Sequence, residues 1–472
     1  MAMAPTVLTV IAVLVICSAS CVAQLDVGAL AEAYTQHDLA RNEGRGNSDN
    51  PDSGALGWGE GAILDDYMAL WQTTGDRHWL GKVRDHFERI MGNASDPDGD
   101  GYLSWQTTGY STGVAWTERL HNVSDAIIEP TYQQNRTRGE FEKATGHTYL
   151  IEFHEGPEQF RITDWTTREI VADAITYESG EAITLIEPFR VTISGETHQG
   201  DRFRVRTVAP EPLEFTVHQG MFLHPVALFI EAVRNDPDLQ PSFGGDADRF
   251  LAFINTHVFE KNERDWLDMG EMGGAYRFEP KVTDRFPNRI MPHNQYAALA
   301  RAWLVLGDLE GAHPLMSERA EQMVRFFRTH LLLDEENDAW RWRYWDWVEF
   351  GEPGHSGWED TSHAHIDVSF AIEAARRGVI FTDEDMQRLA NTWLEVMWNG
   401  DEEKPLFANR VAEDETFNKS PLTRDWCLLS QWDVRAYELA LTAYTAAGQP
   451  AVSAPVMLLC AQRAGALEAD EG

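Results

Sequence analysis

Apolar residues recur at helical spacing along most of the chain. In AILDDYMALWQTTGDRHWLGKVRDHFERIMGN, which begins at Ala62, they return every three or four positions, and a break at 73–76 separates two predicted amphipathic helices. A similar unit recurs between residues 294 and 345, where two helical stretches are followed by an acidic turn and a Trp-rich segment. Helical hairpins that repeat about every fifty residues predict an α/α toroid, with a straight α-solenoid as the competing architecture.

The period changes between residues 146 and 219. Segments such as TYLIEFH, AITLIEPFRVTIS and RFRVRTVA alternate apolar and polar positions and are separated by Gly, Pro and Asp. We expect a β-rich antiparallel insert, which either forms a wall of a cleft or serves oligomerisation or packing. The predicted fold class is mainly α, and the predicted division is a signal peptide (1–23), first helical hairpins (24–145), β-rich insert (146–219) and remaining toroid (220–472).

The N-terminus predicts export. Residues 7–17 (VLTVIAVLVIC) form an apolar run that is too short to span a bilayer and is followed by small residues. We expect a secreted or periplasmic protein cleaved after Ala23, with a lipoprotein anchored at Cys21 as the alternative. After cleavage at Ala23 only Cys427 and Cys460 remain, either as one disulfide or as two buried thiols.

The net charge restricts the classes of partner that this protein can bind. Lys and Arg total 39 and Asp and Glu total 76, so the formal charge is −37. Such acidity argues against nucleic acid and anionic membranes as partners. A polyanionic substrate would need a local basic patch, for which the chain offers Arg285, Arg289, Arg341, Arg343 and Arg424.

One acidic loop has the order of a calcium site. Residues 96–101 read Asp-Pro-Asp-Gly-Asp-Gly, as in the first half of an EF-hand loop, but Thr107 stands where the bidentate Glu belongs. Both a structural calcium at Asp96, Asp98 and Asp100 and a simple Asp/Gly turn remain open. We expect no other cofactor.

The segment 340–370 concentrates residues that recognise sugars. It holds five Trp, two Arg and three His. In an extended conformation Arg341, Arg343 and Trp345 would face one side and Trp340, Trp342 and Tyr344 the other. Thr361 or Ser362 is a predicted N-cap, which puts His363 in the first turn of a helix. Since Pro292 delivers His293 and Asn294 to another helix start, we expect one site for an anionic sugar at one face of a toroid.

These residue types suit β-elimination on a uronate polysaccharide. The reaction needs a neutralised carboxylate, a base for the α-proton and an acid for the leaving oxygen. His293 or His363 is the candidate base, and Tyr344 is the candidate acid or, on a syn path, both. The neutralising or substrate-binding candidates are the amides, guanidiniums and indoles Asn294, Gln295, Arg341, Arg343, Trp340, Trp342, Trp345, Trp358 and Arg424. Tryptophans at such spacing more often belong to a core.

Three short motifs carry a family resemblance. Pro-His-Asn-Gln at 292–295, Trp-Arg-Tyr-Trp at 342–345 and Glu-Asp-Thr-Ser-His-Ala at 359–364 resemble the α/α-toroid polysaccharide lyases, and among them the glucuronan and alginate lyases of family 38. The resemblance covers residues 285–392. It implies a His/Tyr elimination with His293, Asn294, Arg343, Tyr344 and His363 in the cleft. The β-rich insert has no counterpart that we can match to this group.

Other functions stay open. An unsaturated-uronyl glycoside hydrolase would use carboxylates, for which Asp65, Asp66, Glu359 and Asp360 are available, although helix capping explains the last two more simply. A uronyl epimerase would share the proton abstraction, and a carbohydrate-binding protein would need neither Tyr344 nor His363. A metal centre on His363 and His365 ranks lower, because side chains two apart on a helix diverge by about 200°. The particular uronate and the oligomeric state are not encoded in these patterns.

Overall fold

Two apolar periodicities give two kinds of structure. The computed structural model describes residues 25–107, 114–120, 122–132, 146–187, 189–208, 212–278, 288–348, 354–412, 417–419 and 425–466. Helices dominate this part of the chain, and a β-rich insert interrupts them after the third long helix. The prediction of a mainly helical chain with a β-rich insert is confirmed.

The long helices are α1 Val27–Ala40, α2 Gly61–Thr74, α3 Arg77–Gly92, α4 Thr216–Asn235, α5 Gln240–Phe253, α6 His293–Leu306, α7 Met316–Thr329, α8 Thr361–Arg376, α9 Asp383–Asn391, α10 Val434–Ala446 and α11 Ala454–Arg463. Wider π-helical turns lie at Ala55–Glu60, Ile254–Phe259 and Thr392–Met397, and a short α-helical turn at Glu260–Asn262. Tighter 3-10 turns are Asn42–Gly44, Glu263–Asp265, Gly270–Met272, Trp426–Gln431 and Ala451–Ser453. Among these described helices, none is both long and apolar enough to cross a membrane.

Helix packing follows the hairpin pattern. Helices α2, α4, α6 and α8 pack each on the next, α8 continues to the Trp426–Gln431 turn, that turn to α11, and α11 back to α2. Each of the first four also packs on the helix that follows it in sequence, α3, α5, α7 or α9. This is the order of contacts that paired helices in a ring would have, and closure of an α/α toroid stays a prediction.

The tightest crossing joins α4 and α6. At Gly220 an added Cβ would lie 2.3 Å from the carbonyl carbon of Ala298 and the backbone nitrogen of Leu299. Only glycine permits two backbones to approach so closely. This contact fixes the position of α4 relative to α6.

The insert is two antiparallel sheets with an apolar core of their own. The strands are β1 Val114–Arg119, β2 Ile127–Tyr132, β3 Thr148–Glu152, β4 Gln159–Asp164, β5 Glu169–Thr176, β6 Ala182–Ile186, β7 Phe189–Ser194 and β8 Arg202–Val208. One sheet has the order β1-β8-β3-β4-β5 and the other β2-β7-β6. Alternate side chains such as Ile151, Ile162, Val191 and Phe203 are buried in this core. Strands β1 and β2 precede residue 146, where we placed the start of the insert.

Short two-stranded hairpins join the helices. Their strands are β9 Trp266–Asp268 with β10 Gly274–Tyr276, β11 Leu332–Asp334 with β12 Ala339–Arg341, β13 Asp346–Trp347 with β14 Gly354–His355, and β15 Phe407–Ala408 with β16 Phe417–Lys419. The third of these hairpins lies between Tyr344 and the start of α8. It therefore belongs to the connection that carries the predicted site.

A disulfide joins Cys427 and Cys460, whose Cα atoms are 6.1 Å apart. It ties the Trp426–Gln431 turn to α11. Of the two alternatives left open for these cysteines, the structure has the bridge. Closing a loop of this length is worth about 3–4 kcal/mol in the chain-entropy account.

Candidate functional site

Helix α8 begins with a carboxylate cap. The Asp360 Oδ1 accepts the backbone N–H groups of Ser362 at 2.9 Å and His363 at 3.1 Å, so Asp360 is the N-cap in place of the predicted Thr361 or Ser362. The other oxygen of Asp360 lies 2.6 Å from His363 Nδ1. One carboxylate thus starts the helix and orients the imidazole, leaving His363 Nε2 as the nitrogen turned away from the cap.

Tyr344 reaches the same imidazole from a neighbouring segment. Its ring centroid is 5.9 Å from that of His363, and its backbone N–H donates to Gly357 O at 2.9 Å. The side chain of Gln295, in the first turn of α6, hydrogen-bonds the phenol. The structure therefore brings together three residues, Gln295, Tyr344 and His363, that the sequence analysis selected from three separate motifs.

Two further aromatic residues join them that the sequence analysis missed. The Trp58 indole meets His363 edge-on at 6.2 Å between centroids and His218 at 5.4 Å. His218 lies in the first turn of α4 and is buried, with Nδ1 3.0 Å from Ser53 Oγ. Trp58 is 37% exposed, so its indole is open to a ligand. We call the group formed by these side chains the mouth cluster: Trp58, His218, Gln295, Tyr344, Asp360 and His363.

A sequence signal for His218 existed. The start of α4 reads Thr-Val-His-Gln at 216–219, and the start of α6 reads Pro-His-Asn-Gln at 292–295, so each places His and a side-chain amide in its first turn. No comparable local signal marks Trp58, which lies in the π-helical turn before α2.

The protonation states of the mouth cluster differ. The hydrogen bond to Asp360 raises the pKa of His363 above its usual 6.5, against the effect of burial. Burial, helped by the nearby Glu359 carboxyl, raises the pKa of Tyr344 to about 12, while burial lowers that of His218 to about 4. At neutral pH the phenol holds its proton and His218 is neutral.

Below the mouth cluster lies a buried pair of carboxyl groups. Burial and the proximity of Asp367 raise the pKa of Glu359, and burial raises that of Asp367 to about 7. The Trp342 indole N–H donates to Asp367 Oδ2 at 2.8 Å. Because two adjacent buried carboxyl groups cannot both ionise cheaply, the pair retains a proton near neutral pH. This arrangement limits negative charge beneath a site proposed for an anion.

His293 lies elsewhere. It is 1% exposed, with Nδ1 2.5 Å from the Tyr296 hydroxyl and Nε2 2.8 Å from Asp346 Oδ2. Burial lowers the pKa of His293, and both ring nitrogens are engaged in what we call the His293 cluster: His293, Tyr296 and Asp346. As the predicted base, His293 requires correction, because no nitrogen of it is open to a substrate.

Three predicted sugar platforms also require correction. Trp340, Trp342 and Trp345 are 6%, 0% and 6% exposed and belong to the main apolar core. The guanidinium of Arg328 lies 4.4 Å from the Trp340 ring, and the Trp345 indole N–H donates to Ile290 O at 2.7 Å. Their faces are covered by protein, so they cannot stack on a sugar. The chain forms a strand only over Ala339–Arg341, so the predicted alternation of two faces does not continue to Trp345.

The predicted arginines have different surroundings. Arg343 lies over the Trp358 indole, 3.5 Å from its centroid, and a backbone bridge joins these two residues. Arg341 forms an ion pair with Asp334 within the β11–β12 hairpin. Arg289 lies 5.5 Å from the Trp347 ring. Residues Arg285 and Arg424 lie outside the described residues.

Asn294 is a buried amide beside the site. It is 2% exposed, and its Oδ1 accepts no hydrogen bond from the described residues. The Oε1 of the neighbouring Gln295 is also buried and accepts no hydrogen bond from the described residues, although the same side chain hydrogen-bonds Tyr344. Both of these oxygens are acceptors, so a ligand that satisfied them would have to donate a hydrogen bond, as a sugar hydroxyl does.

Two groups of side chains that can ligate metals have the spacing to hold a cation. Ligand atoms of Glu359, Asp360 and His363 lie within 4.8 Å of one another, as do those of Asp96, Asp98 and Asp100. In the second group the Lys261 ammonium already lies 3.4 Å from Asp100 Oδ2, so a protein cation shares that space. A calcium ion at Asp96, Asp98 and Asp100 stays a prediction.

The remaining candidates, His365, Asp65 and Asp66, contact residues outside the mouth cluster. His365 Nδ1 lies 2.9 Å from Asp425 Oδ2, whereas His363 bonds Asp360, so the two imidazoles diverge as expected. Asp66 is 1% exposed and accepts the Tyr34 hydroxyl at 2.9 Å. Asp65 lies 3.8 Å from His224 Nδ1.

Comparisons with known proteins give no family. No family model matches the chain, and no curated protein matches it. Among solved structures it is similar to an inactive variant of the alpha-1,6-mannanase GH76A of Salegentibacter sp. HEL1_6 bound to alpha-1,6-mannotriose, with 10% identity over 93% of this chain and 99% of that chain and a TM-score of 0.42. It is also similar to FlgL of Xanthomonas campestris, with 13% identity over 43% and 77% and a TM-score of 0.17. These TM-scores are too low to assign a fold or an activity, so the proposals rest on the residues described above.

Proposed function

We propose that this protein is a lyase that cleaves a uronate-containing polysaccharide, of the glucuronan or alginate type, by β-elimination at the mouth cluster. The observation that carries the proposal is the meeting of Tyr344 with His363, whose Nδ1 is held by Asp360. A protonated phenol beside an oriented imidazole supplies an acid and a base on one substrate unit.

The roles follow from protonation and access. The Arg343 guanidinium and the side-chain N–H group of Gln295 bind the uronate carboxylate and acidify the proton on the adjacent ring carbon. His363 Nε2 removes that proton, the electron pair forms the carbon–carbon double bond, and the bond to the glycosidic oxygen breaks. Tyr344, whose pKa of about 12 keeps it protonated, gives its proton to the leaving oxygen. On a syn path His363 first takes the proton of the Tyr344 phenol, the resulting phenolate removes the proton from the sugar, and Tyr344 then gives that proton to the leaving oxygen.

Trp58 supplies the apolar face of the site. Its exposed indole lies edge-on to both His218 and His363, where a sugar ring held over His363 would meet it. Arg343, over Trp358, adds positive charge near the same connection. This arrangement provides both the stacking and the local basicity that a polyanion needs on a protein with charge −37.

The experiment is a substrate screen with two readouts. Purified protein is incubated with glucuronan, alginate, ulvan and glycosaminoglycans, and both ultraviolet absorbance of an unsaturated uronate and new reducing ends are measured. A lyase generates both signals together. New reducing ends without absorbance would refute elimination and indicate hydrolysis.

A glycoside hydrolase is the second candidate, and one observation favours it. Glu359 and Asp360 are adjacent, yet burial raises the pKa of Glu359 while hydrogen bonds from His363 and Ser362, outweighing the effect of burial, lower that of Asp360. Carboxyl groups with opposed pKa shifts are typical acid and base partners. Glu359 is 0% exposed, however, and its Oε1 accepts the Asp360 N–H at 2.8 Å, so we rank hydrolysis below elimination.

A further inference from the structure

The outer face of the five-stranded sheet in the insert carries two exposed tryptophans. Trp116 on β1 and Trp165 in the turn after β4 are each 50% exposed. Tryptophan is enriched at binding surfaces, because its indole offers a large apolar face together with a polar N–H. The apolar core of the insert lies on the opposite face of the sheet, so it does not account for them.

Strand register places both indoles in one row. Trp116 pairs with Arg206 on β8, Arg206 pairs with Thr148 on β3, and the Trp165 N–H donates to Thr148 O at 2.7 Å. Directly opposed residues point to the same side of a sheet. The row Trp116, Arg206, Thr148, Trp165 therefore crosses β1, β8 and β3 on the exposed face and ends in the turn after β4, and its two indoles are separated by about 14 Å, three strand spacings.

The centre and one end of the row carry uncompensated positive charge. Arg202, Arg204 and Arg161 on the same face pair with Glu152, Glu118 and Asp173. Within the described residues, Arg206 and Arg168 have no carboxylate partner, and the Arg168 guanidinium lies 4.0 Å from the Trp165 ring centroid. A basic patch of this kind contrasts with the strongly acidic chain around it.

We propose that this face, which we call the tryptophan row (Trp116, Arg206, Thr148, Trp165 and the flanking Arg168), is a non-catalytic binding surface for a strand of anionic polysaccharide. This inference rests on the proposed function for the choice of polymer. The two indoles stack on sugar rings several units apart, and Arg206 and Arg168 bind carboxylates between and beside them. A flat row fits an extended chain, whereas a compact peptide would need a pocket.

Charge complementarity selects this occupant. An approaching polyuronate is repelled by a protein of charge −37, so retention requires a local surface where guanidiniums outnumber free carboxylates. The row would hold the polymer while the mouth cluster acts on it, raising its effective concentration at the site. A second copy of the chain on the same face is the alternative that the experiment excludes.

The test measures binding without turnover. In the Tyr344→Phe background, retention by polyglucuronate, alginate and a neutral β-glucan is compared by affinity electrophoresis for Trp116→Ala, Trp165→Ala, the double variant and Arg206→Gln. Matched controls are Leu332→Ala, an exposed apolar residue on β11, and Arg325→Gln, an exposed arginine on α7. Circular dichroism verifies that each variant is folded.

We expect the double tryptophan variant to lose about tenfold or more in affinity for the polyuronate. Arg206→Gln should weaken binding to polyuronate and leave any binding to neutral glucan unchanged. Equal binding by the double variant and Leu332→Ala overturns the inference, as does a wild-type dimer in size-exclusion chromatography that becomes a monomer in the double variant.

The two proposals fail separately. If tryptophan-dependent binding is found and no unsaturated product forms with the Tyr344-containing protein, the lyase proposal falls and the surface stands. If unsaturated product forms and the double tryptophan variant binds the polymer as tightly as the wild type, only the proposed binding surface is refuted. On short oligouronides, which cannot span the row and the mouth cluster, the double tryptophan variant should keep kcat/KM within about twofold.

Discussion

Two histidines with similar partners behave in opposite ways. His363 and His293 each lie in the first turn of a helix, and each bonds an aspartate, at 2.6 Å and 2.8 Å. The side chain of His363 is 37% exposed and its pKa is raised, whereas that of His293 is 1% exposed and its pKa is lowered. The carboxylate raises the pKa in both cases, and burial decides the net sign. Solvent access therefore separates a histidine that can exchange protons with its surroundings from one whose two nitrogens are both bonded inside the protein.

The largest expected effect compares the two tyrosines beside these histidines. Tyr344→Phe should lower kcat by about 10²–10⁴-fold, because the acid for the leaving oxygen is lost, and should leave binding intact. Tyr296→Phe should keep kcat within a few-fold and lower the free energy of unfolding by about 1 kcal/mol, because only a buried hydrogen bond is removed. Steady-state kinetics and urea unfolding are measured on both variants. Full turnover in Tyr344→Phe would remove this phenol from the mechanism.

A second comparison contrasts tryptophans. Trp345→Ala should lower the free energy of unfolding by about 3–5 kcal/mol, since a buried indole leaves a cavity. Trp58→Ala should hardly affect stability and should raise KM by about tenfold, as expected for the loss of one stacking contact. A Trp58→Ala variant with unchanged KM and the same oligosaccharide products would show that sugars do not stack there.

The pH dependence of stability should separate the histidines. Because folding lowers the pKa of His293, the unfolded chain takes up a proton below pH 6.5 that folded His293 refuses, and stability falls with pH there. For His363, with a raised pKa, the stabilising contribution is present below pH 6.5 and is lost as pH rises through the folded pKa. In His293→Gln the free energy of unfolding should therefore fall less steeply between pH 6.5 and about pH 5 than in the wild type. The decrease that remains includes the contribution of His218.

His363→Gln serves as the counterpart in that measurement. It should reduce stability more at about pH 6 than at about pH 8, because only the protonated imidazole gains from Asp360. Urea unfolding at these pH values gives both results. The same pH profile in both histidine variants would contradict the contrast.

The smallest effect concerns Asp360. Asn caps a helix as well as Asp does, so Asp360→Asn should keep α8 intact while removing the charge beside His363. The pKa of His363 should fall, and the acidic limb of kcat/KM, which rises as the base loses its proton, should move to lower pH. A limb that does not move would mean that another group, such as Tyr344, is the base.

The sequence predicted helix starts better than side-chain environments. Local chemistry placed the starts of α6 and α8, since Pro292 and the polar run at 359–362 end the preceding segments. It predicted Thr361 or Ser362 as the N-cap of α8, where the cap is Asp360, and it predicted that the side chains of the Trp-rich run would alternate between two open faces. Trp340 and Trp342 are covered by α7, α8 and α9. Trp345 packs instead against Phe278 and bonds Ile290 O, and no local alternation encodes either environment.

The mouth cluster shows the same division. Tyr344 and His363 stand out by composition and the structure brings them together. Trp58 and His218 come from segments far away along the chain, and only the packing of α2, α4 and α6 carries them there. The role of His293 was misjudged because the same motif describes a helix start whether its first turn faces solvent or core.

Gly220 gives this packing a consequence for chemistry. His218 lies two residues before it on α4, and Gln295 lies three residues before Ala298 on α6, so one contact without a side chain sets the spacing of two groups in the mouth cluster. A methyl group there would push the two helices apart by about 1 Å, since the added Cβ would lie 2.3 Å from backbone atoms, and would displace the Gln295 amide relative to the His218 imidazole. Gly220, which has no side chain, thus sets the distance between two side chains of the mouth cluster.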